Sequence, residues 1–464
     1  MSEARRTRFA PLLAAMVLVA MLAAASAAPA ATSTNHSGTT SDGATWVADV
    51  PSPWNGTLLL YSHGFGPLQA ADAPDPSTKQ ALLDRGYALV GSSYDPAGSW
   101  WALGSALRDQ FEALDAVRTF LPSKPREVIA FGTSMGGLIS ALESERGNGR
   151  IDGALTTCGL VAGAIHLNNY QLDGEYAMAK LLAPAMPIKL VRFANPDEGL
   201  ATGKQFDAVA QQAQSTPQGR ARLALAMAFL NVPTWAPGQP MPAADDYAAQ
   251  EQQQFDIQFS GGFTTMDFLE SGRPWIEQAA GGNGSWTVGV DFARQLHRSP
   301  YAPQVRAFYR QAGLDLRSDL ATLTAGANIR PDVAAVRWLA QTSVPSGRLQ
   351  VPELNLHTIS DQLVPVQQEG VYARVVSGAG AGRLLRQAYV ARQGHCNFTP
   401  AELVAGVLAI QHRVEHGRWS LVATPRSLQE TATGLGLGGA AFIPYRPWPL
   451  TGDNGRLVSG HAQR

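Results

Sequence analysis

Residues Val128–Gly137 read VIAFGTSMGG, and the serine in this stretch stands alone between glycines directly after an apolar run. Gly132, Thr133, Ser134, Met135 and Gly136 have the spacing G-x-S-x-G. The pattern predicts a buried strand over Glu127–Phe131 and a short helix over Met135–Ser144. A serine at such a strand-to-helix turn is held in a tight backbone that lifts its hydroxyl above the sheet. The N–H groups that follow open the helix, where they favour negative charge. A glycine-rich turn without chemistry has the same spacing. A hydroxyl becomes a nucleophile only when a base takes its proton, so the rest of the chain has to supply that base.

Outward from this turn, Gly56–Ser62, Gly86–Ser93 and Ile151–Thr157 read as strands, and Leu103–Leu121 has helical spacing closed by Pro122 and Pro125. From about Ile165 to Ser346 the pattern is helical, with breaks at Ser260–Gly262 and Gly281–Ser285. Strand patterns return at Leu349–Thr358 and near Leu384–Val390, before a helix at about Pro400–Glu415. Strands alternating with helices imply an α/β fold with a mostly parallel central sheet covered on both faces. The expected organisation is a core split between residues 45–164 and 349–424, with a large helical cap inserted at 165–348. Residues 425–464 are Gly- and Pro-rich and are expected to run over the core as an extended strap; Thr32–Ala44 reads as a polar stretch ahead of the first strand. The aromatics of the insertion, Trp235, Phe255, Phe259, Phe263, Trp275 and Trp286, are expected to build its core rather than line a pocket.

The chain has 464 residues, a formal net charge of −1 and 45% apolar residues. It is long enough for a large core, and its charge balance argues against nucleic-acid or polybasic membrane binding. Residues 1–30 read as a signal peptide. Arg5, Arg6 and Arg8 precede an apolar run from Pro11 to Ala25, and A-x-A sites end at Ala27 and Ala30. The run is short for a bilayer span, so export with cleavage is expected, leaving a secreted protein without a stable membrane anchor. The two cysteines, Cys158 and Cys396, form a disulfide in an exported protein or stay as two buried thiols. Neither a phosphate-cradling G-x-x-x-x-G-K loop nor a dinucleotide fingerprint occurs, so no cofactor is expected.

Partners for a serine nucleophile at this turn follow in the order serine, acid, histidine. His395 stands in Gln393–Thr399, after a predicted strand and before the last core helix, where a loop side chain can reach back over the sheet edge. Asp361 falls in the loop after the Leu354–Thr358 strand, with room for one helix and one strand before His395. Asp361 as a helix cap and His395 as a structural loop residue are the plainer alternatives. His357 precedes Asp361 on the strand itself and reads as packing or support. His63–Gly66, HGFG, ends an earlier strand and offers the Phe65 N–H beside that of Met135 as an oxyanion hole; an ordinary glycine turn is the alternative. A Cys158–Cys396 bridge would pin the histidine loop to the sheet.

HGFG at His63–Gly66, GTSMGG at Gly132–Gly137, HTISDQLVP at His357–Pro365 and GHCNF at Gly394–Phe398 together resemble the α/β-hydrolase superfamily, and the chain is similar to its secreted serine esterases and lipases. The resemblance covers about residues 45–163 and 349–419, not the insertion. It implies Ser134 as nucleophile, Asp361 as orienting acid and His395 as general base. Histidine followed by cysteine is also similar to tannases and feruloyl esterases, whose disulfide joins the residues next to serine and histidine. Here Thr133 precedes Ser134, so that likeness does not extend to aromatic-ester specificity, and Cys158 would supply the second sulfur.

The expected function is hydrolysis of a small-molecule or polymeric carboxylic ester through an acyl-enzyme. A serine peptidase of the prolyl-peptidase kind would use the same residues. His412-Arg-Val-Glu-His416 has the H-x-x-E-H spacing of zinc peptidases, with only Glu430 following as a glutamate ligand; the ordinary reading is a solvated helix end. A binding module on an inactive hydrolase fold is the remaining alternative.

Overall fold

Among the described residues, nine strands form one sheet. The structure, a computed structural model, describes residues 32–452; the expected signal peptide and the last residues of the expected strap lie outside them. The strands are β1 (Thr32–Thr39), β2 (Thr45–Ser52), β3 (Thr57–Ser62), β4 (Ala88–Ser92), β5 (Glu127–Thr133), β6 (Gly153–Thr157), β7 (Glu353–Ser360), β8 (Leu385–Gln393) and β9 (Phe442–Ile443). They lie in the order β1-β2-β4-β3-β5-β6-β7-β8-β9. From β4 to β8 all pairings are parallel, while β2 runs against β1 and β4, and β9 against β8.

Helices α1 (Pro76–Leu83), α2 (Ala106–Val117) and α3 (Met135–Arg146) join the first strands. Between β6 and β7 come α4 (Ala164–Leu181), α5 (Pro196–Gln214), α6 (Pro217–Leu230), α7 (Tyr247–Phe259), α8 (Thr265–Ala280), α9 (Phe292–Arg298), α10 (Ala302–Ala312), α11 (Leu316–Gly326) and α12 (Val333–Thr342), the helical cap. The last three are α13 (Gln368–Gly378), α14 (Pro400–His416) and α15 (Pro425–Leu435). No helix among the described residues is long and apolar enough to cross a membrane.

Central strands β3 and β5 carry the apolar runs Leu58–Leu60 and Val128–Phe131 because helices cover both faces. Successive residues point to opposite sides. Leu59, Tyr61, Ile129 and Phe131 pack with Val404, Val407 and Ile410 of α14, while Leu58, Leu60, Val128 and Ala130 pack with Phe111, Leu114 and Val117 of α2. The cap has its own core, which includes Phe206, Phe229, Phe255, Phe259 and Phe292. Trp275 departs from the expected role: it stacks on Trp100 at 4.7 Å, while Phe263 is exposed. Cap and core are also joined where Trp101 Nε1 donates to Ser343 Oγ at 3.1 Å.

Two segments differ from the sequence reading. The polar stretch from Thr32 contains β1, an edge strand whose backbone pairs with β2 while its side chains stay largely exposed. Polar side chains suit such an edge, since they discourage pairing with other chains. The expected extended strap begins instead with a helix. Thr424 caps α15, Pro425 starts it, Leu428 and Ala432 are buried one turn apart, and Gly436 ends it at φ 66°. Pro at the first position and Gly past the end are helix punctuation as much as signs of extended chain. Beyond β9 the chain reaches Thr451, which exchanges backbone hydrogen bonds with the Asn231 side chain of the cap at 2.8 and 3.1 Å.

Candidate active site

Ser134 stands between β5 and α3 with φ 60° and ψ −120°, a backbone conformation that L residues seldom adopt. The turn closes because its flanking glycines lack side chains. A Cβ on Gly132 would overlap the carbonyl of Gly136, and one on Gly136 would overlap the carbonyl of Ser62 and come within 2.7 Å of the His63 carbonyl. Ser134 N–H donates to Thr157 O at 3.0 Å, and Thr157 Oγ1 donates to Gly132 O at 2.9 Å, which ties the turn to β6.

The structure brings Ser134, His395 and Asp361 together. His395 Nε2 lies 2.8 Å from Ser134 Oγ, and His395 Nδ1 lies 2.7 Å from Asp361 Oδ2. A carboxylate accepts from Nδ1–H, which leaves Nε2 free to accept from the serine hydroxyl. Asp361 Oδ1 accepts the N–H groups of Leu363 and Val364 at 3.0 and 2.8 Å, so its carboxylate is held within its own turn. Burial opposes its charge, but the charge on His395, hydrogen bonds from both histidines and the charge on His357 outweigh it and hold Asp361 well below the usual carboxylate range. His395 is brought back over the sheet by Gly394 at φ 93°, whose N–H donates to Ser360 O at 2.8 Å.

The His63–Gly66 loop lies against the serine, since a Cβ on Gly64 would sit 3.7 Å from Ser134 Oγ. His63 braces this loop. Its ring stacks on Tyr94 at 4.3 Å, its Nδ1 meets Gly64 O at 2.8 Å, and Tyr94 Oη donates to His63 O at 2.9 Å. Burial pushes His63 below the ordinary histidine range. Phe65 follows in the loop, and Met135 is the first residue of α3, where a helix leaves its N–H without an intrahelical acceptor.

Ser134, Phe65 and His395 line a cavity of about 340 Å³. Cap helix α8 forms one wall with Phe268, Leu269, Gly272, Arg273 and Ile276. The sequence reading missed these side chains. They repeat at helical spacing, but nothing in that pattern distinguishes a helix face turned to a cavity from one turned to a core. Arg273 is buried and donates to Glu175 at 2.5 Å.

Cys158 and Cys396 are joined, with Cα atoms 5.3 Å apart across a sequence separation of 238. Cys396 Sγ lies 3.3 Å from His395 Nε2, so the bridge fastens the histidine loop to the end of β6. Replacing both cysteines by serine is expected to cost about 2–5 kcal/mol of stability and to lower turnover, because the loop that carries His395 loses its covalent anchor. Thermal melts and kcat of the double variant check this; a melt and a kcat matching the parent would remove the bridge's role.

His412 and His416 do not form a metal cluster. Their rings stack at 4.0 Å at the end of α14, and His416 Nδ1 donates to the His412 carbonyl at 2.9 Å. Among the described residues, the one trio of His, Cys, Asp or Glu with ligand spacing is Cys158, His395 and Cys396, whose sulfurs are bonded to each other. The H-x-x-E-H spacing arises because residues four apart share a helix face.

No family model matches the chain. It is 26% identical over 445 residues to the o-phthalyl amidase of Xanthobacter agilis, covering 90% of this chain and 95% of that protein. Feruloyl esterase B from Aspergillus oryzae aligns with a TM-score of 0.39 at 13% identity over 82% of this chain and 80% of its own. The Pyrococcus horikoshii acylaminoacyl peptidase aligns with a TM-score of 0.36 at 9% identity over 90% of this chain, which spans only 43% of that peptidase. The mostly parallel sheet and the glycine-flanked serine at its strand-to-helix turn give the chain an α/β fold of the α/β-hydrolase type, and along nearly its whole length it is similar to an amidase.

Proposed function

We propose that the chain is a secreted serine hydrolase that cleaves carboxylic esters through an acyl-enzyme, with Ser134 as nucleophile, His395 as general base and Asp361 as orienting acid. One observation carries this reading: the unbroken hydrogen-bond chain from Ser134 Oγ through His395 to Asp361 at the edge of a largely apolar cavity. Ser134 Oγ attacks the ester carbonyl carbon while its proton passes to His395 Nε2. The carbonyl π electrons move onto oxygen, which the N–H groups of Phe65 and Met135 stabilise, each such donor lowering the barrier by about 2.7–4 kcal/mol. Collapse expels the alcohol, which takes the proton from His395. Water then attacks the acyl-serine with His395 again as base, releasing the acid and restoring Ser134. Asp361 stays ionised throughout and holds the imidazole in the required tautomer. The signal-like N-terminus and the Cys158–Cys396 disulfide support export, since disulfides persist in oxidising compartments.

A second reading, favoured by the likeness to an amidase along nearly the whole chain, is cleavage of an aromatic acyl amide by the same residues. p-Nitrophenyl esters and p-nitroanilides carrying the same aliphatic or benzoyl acyl group separate the two. The ester reading expects a burst of one nitrophenolate per chain, then turnover, with kcat/KM on the ester well above that on the matching anilide. Anilide turnover equal to or faster than ester turnover would replace it with the amide reading. No turnover of either series would refute both.

A further inference from the structure

Behind Asp361 lies a second imidazole and carboxylate, buried completely and unused by the chemistry above. His357 of β7 points Nδ1 at Glu369 Oε1 of α13, 2.9 Å away, and Nε2 at the carbonyl of Val364, 2.8 Å away. Both ring nitrogens therefore face oxygen. A carbonyl only accepts, so Nε2 carries a hydrogen, and a further proton lies between Nδ1 and Glu369. Glu369 Oε2 accepts from Asn355 Nδ2 at 3.1 Å and Gln387 Nε2 at 2.5 Å, a donor set suited to a carboxylate facing an imidazolium. His357, Asp361 and Glu369 side chains all have 0% exposure. His357 Nε2 is 3.6 Å from Asp361 Oδ2, the same oxygen that meets His395. Val364 links the two histidines mechanically, because its N–H is held by Asp361 and its carbonyl by His357.

We propose that His357 and Glu369 are a positioning pair that clamps the Asp361 turn and, through Asp361, sets how readily His395 takes a proton. The pair acts on the reaction already proposed for Ser134, His395 and Asp361, and it rests on that reading. Its charge effect has a definite sign. When His395 is protonated, two imidazolium rings flank one carboxylate, and the like charge on His357 opposes that protonation. Beyond Asp361 and Glu369, the titratable groups facing this cluster are Tyr170 toward Asp361, and Glu353, Tyr372 and Tyr389 toward Glu369; burial disfavours the charged form of each. Burial also works against a charge on His357, but the hydrogen bonds and charges of Asp361 and Glu369 more than offset it and raise the ring to about 10.

Glu369→Gln keeps the shape of the carboxylate but removes one of the two charges that hold the second proton on His357, the one that meets Nδ1, and His357→Gln removes the ring. In both, the acid limb of kcat/KM is expected to move to higher pH by about one unit, a tenfold change in proton affinity. The double variant should shift no further than either single one, because the two residues act as a unit. A purely structural pair would lower melting temperature or the plateau without moving the limb. An unmoved limb in folded Glu369→Gln overturns the proposal. A readout on the unaltered protein stands beside it: 15N-histidine NMR should show His357 with both ring nitrogens protonated at neutral pH, and a neutral His357 ring there overturns it. Failure of the underlying reading looks different, since activity would then persist in Ser134→Ala whatever the acid limb does.

Discussion

Ser134→Ala is expected to lower kcat by about 10⁶-fold while leaving the fold intact. In the proposed reaction the hydroxyl is the attacking atom, and among the described residues Ser134 Oγ is the one hydroxyl hydrogen-bonded to His395 Nε2. Removing one partly exposed Oγ leaves no buried polar group stranded, so the stability change should stay within about 1 kcal/mol. Residual activity should exceed that of water by about 10³–10⁴-fold, the share left to substrate binding and the oxyanion donors. Steady-state hydrolysis, with labelling by a fluorophosphonate, measures this. An alanine variant within about a hundredfold of the parent would place the nucleophile elsewhere.

Gly136→Ala adds a single methyl group and should do more structural damage. That methyl has nowhere to go: it would overlap the Ser62 carbonyl and lie within 2.7 Å of the His63 carbonyl, both backbone atoms of the β3 end and its loop. Either α3 or the His63–Gly66 loop must move. Overpacking against backbone costs of order 3 kcal/mol. Movement of either element also separates the N–H groups of Met135 and Phe65, the proposed oxyanion donors, and loss of one such donor costs about 10²–10³ in kcat. Chemical denaturation together with kcat tests both effects. A stability within about 0.5 kcal/mol of the parent, with kcat unchanged, would mean that the close approach across Gly136 is not required.

These two expectations fall on the part of the molecule that local sequence describes well. G-x-S-x-G specifies a strand, a strained turn and a helix within a few residues, because backbone crowding at Gly132 and Gly136 is a local matter. The parallel core is legible for a similar reason: strands covered on both faces tend to carry apolar runs, and Leu58–Leu60 of β3 and Val128–Phe131 of β5 are buried. The edges are less legible. β1 is polar and exposed, and its pairing with β2 depends on a neighbour rather than on its own pattern. At the other end, the Gly and Pro around α15 suit a capped helix as well as an extended strap, and burial of Leu428 and Ala432 against the core decides for the helix.

By itself, the sequence determined the class of fold and the order of serine, acid and histidine along the chain, since both follow from short-range periodicity and turn chemistry. Tertiary structure alone decided which side chains meet. The cavity wall from α8, the bond between Cys158 and Cys396, and the His357–Glu369 pair behind Asp361 each join residues from separate elements. Such contacts depend on the direction each element takes across the sheet. Direction in space is set by packing over the whole chain, and no local pattern of residues encodes it.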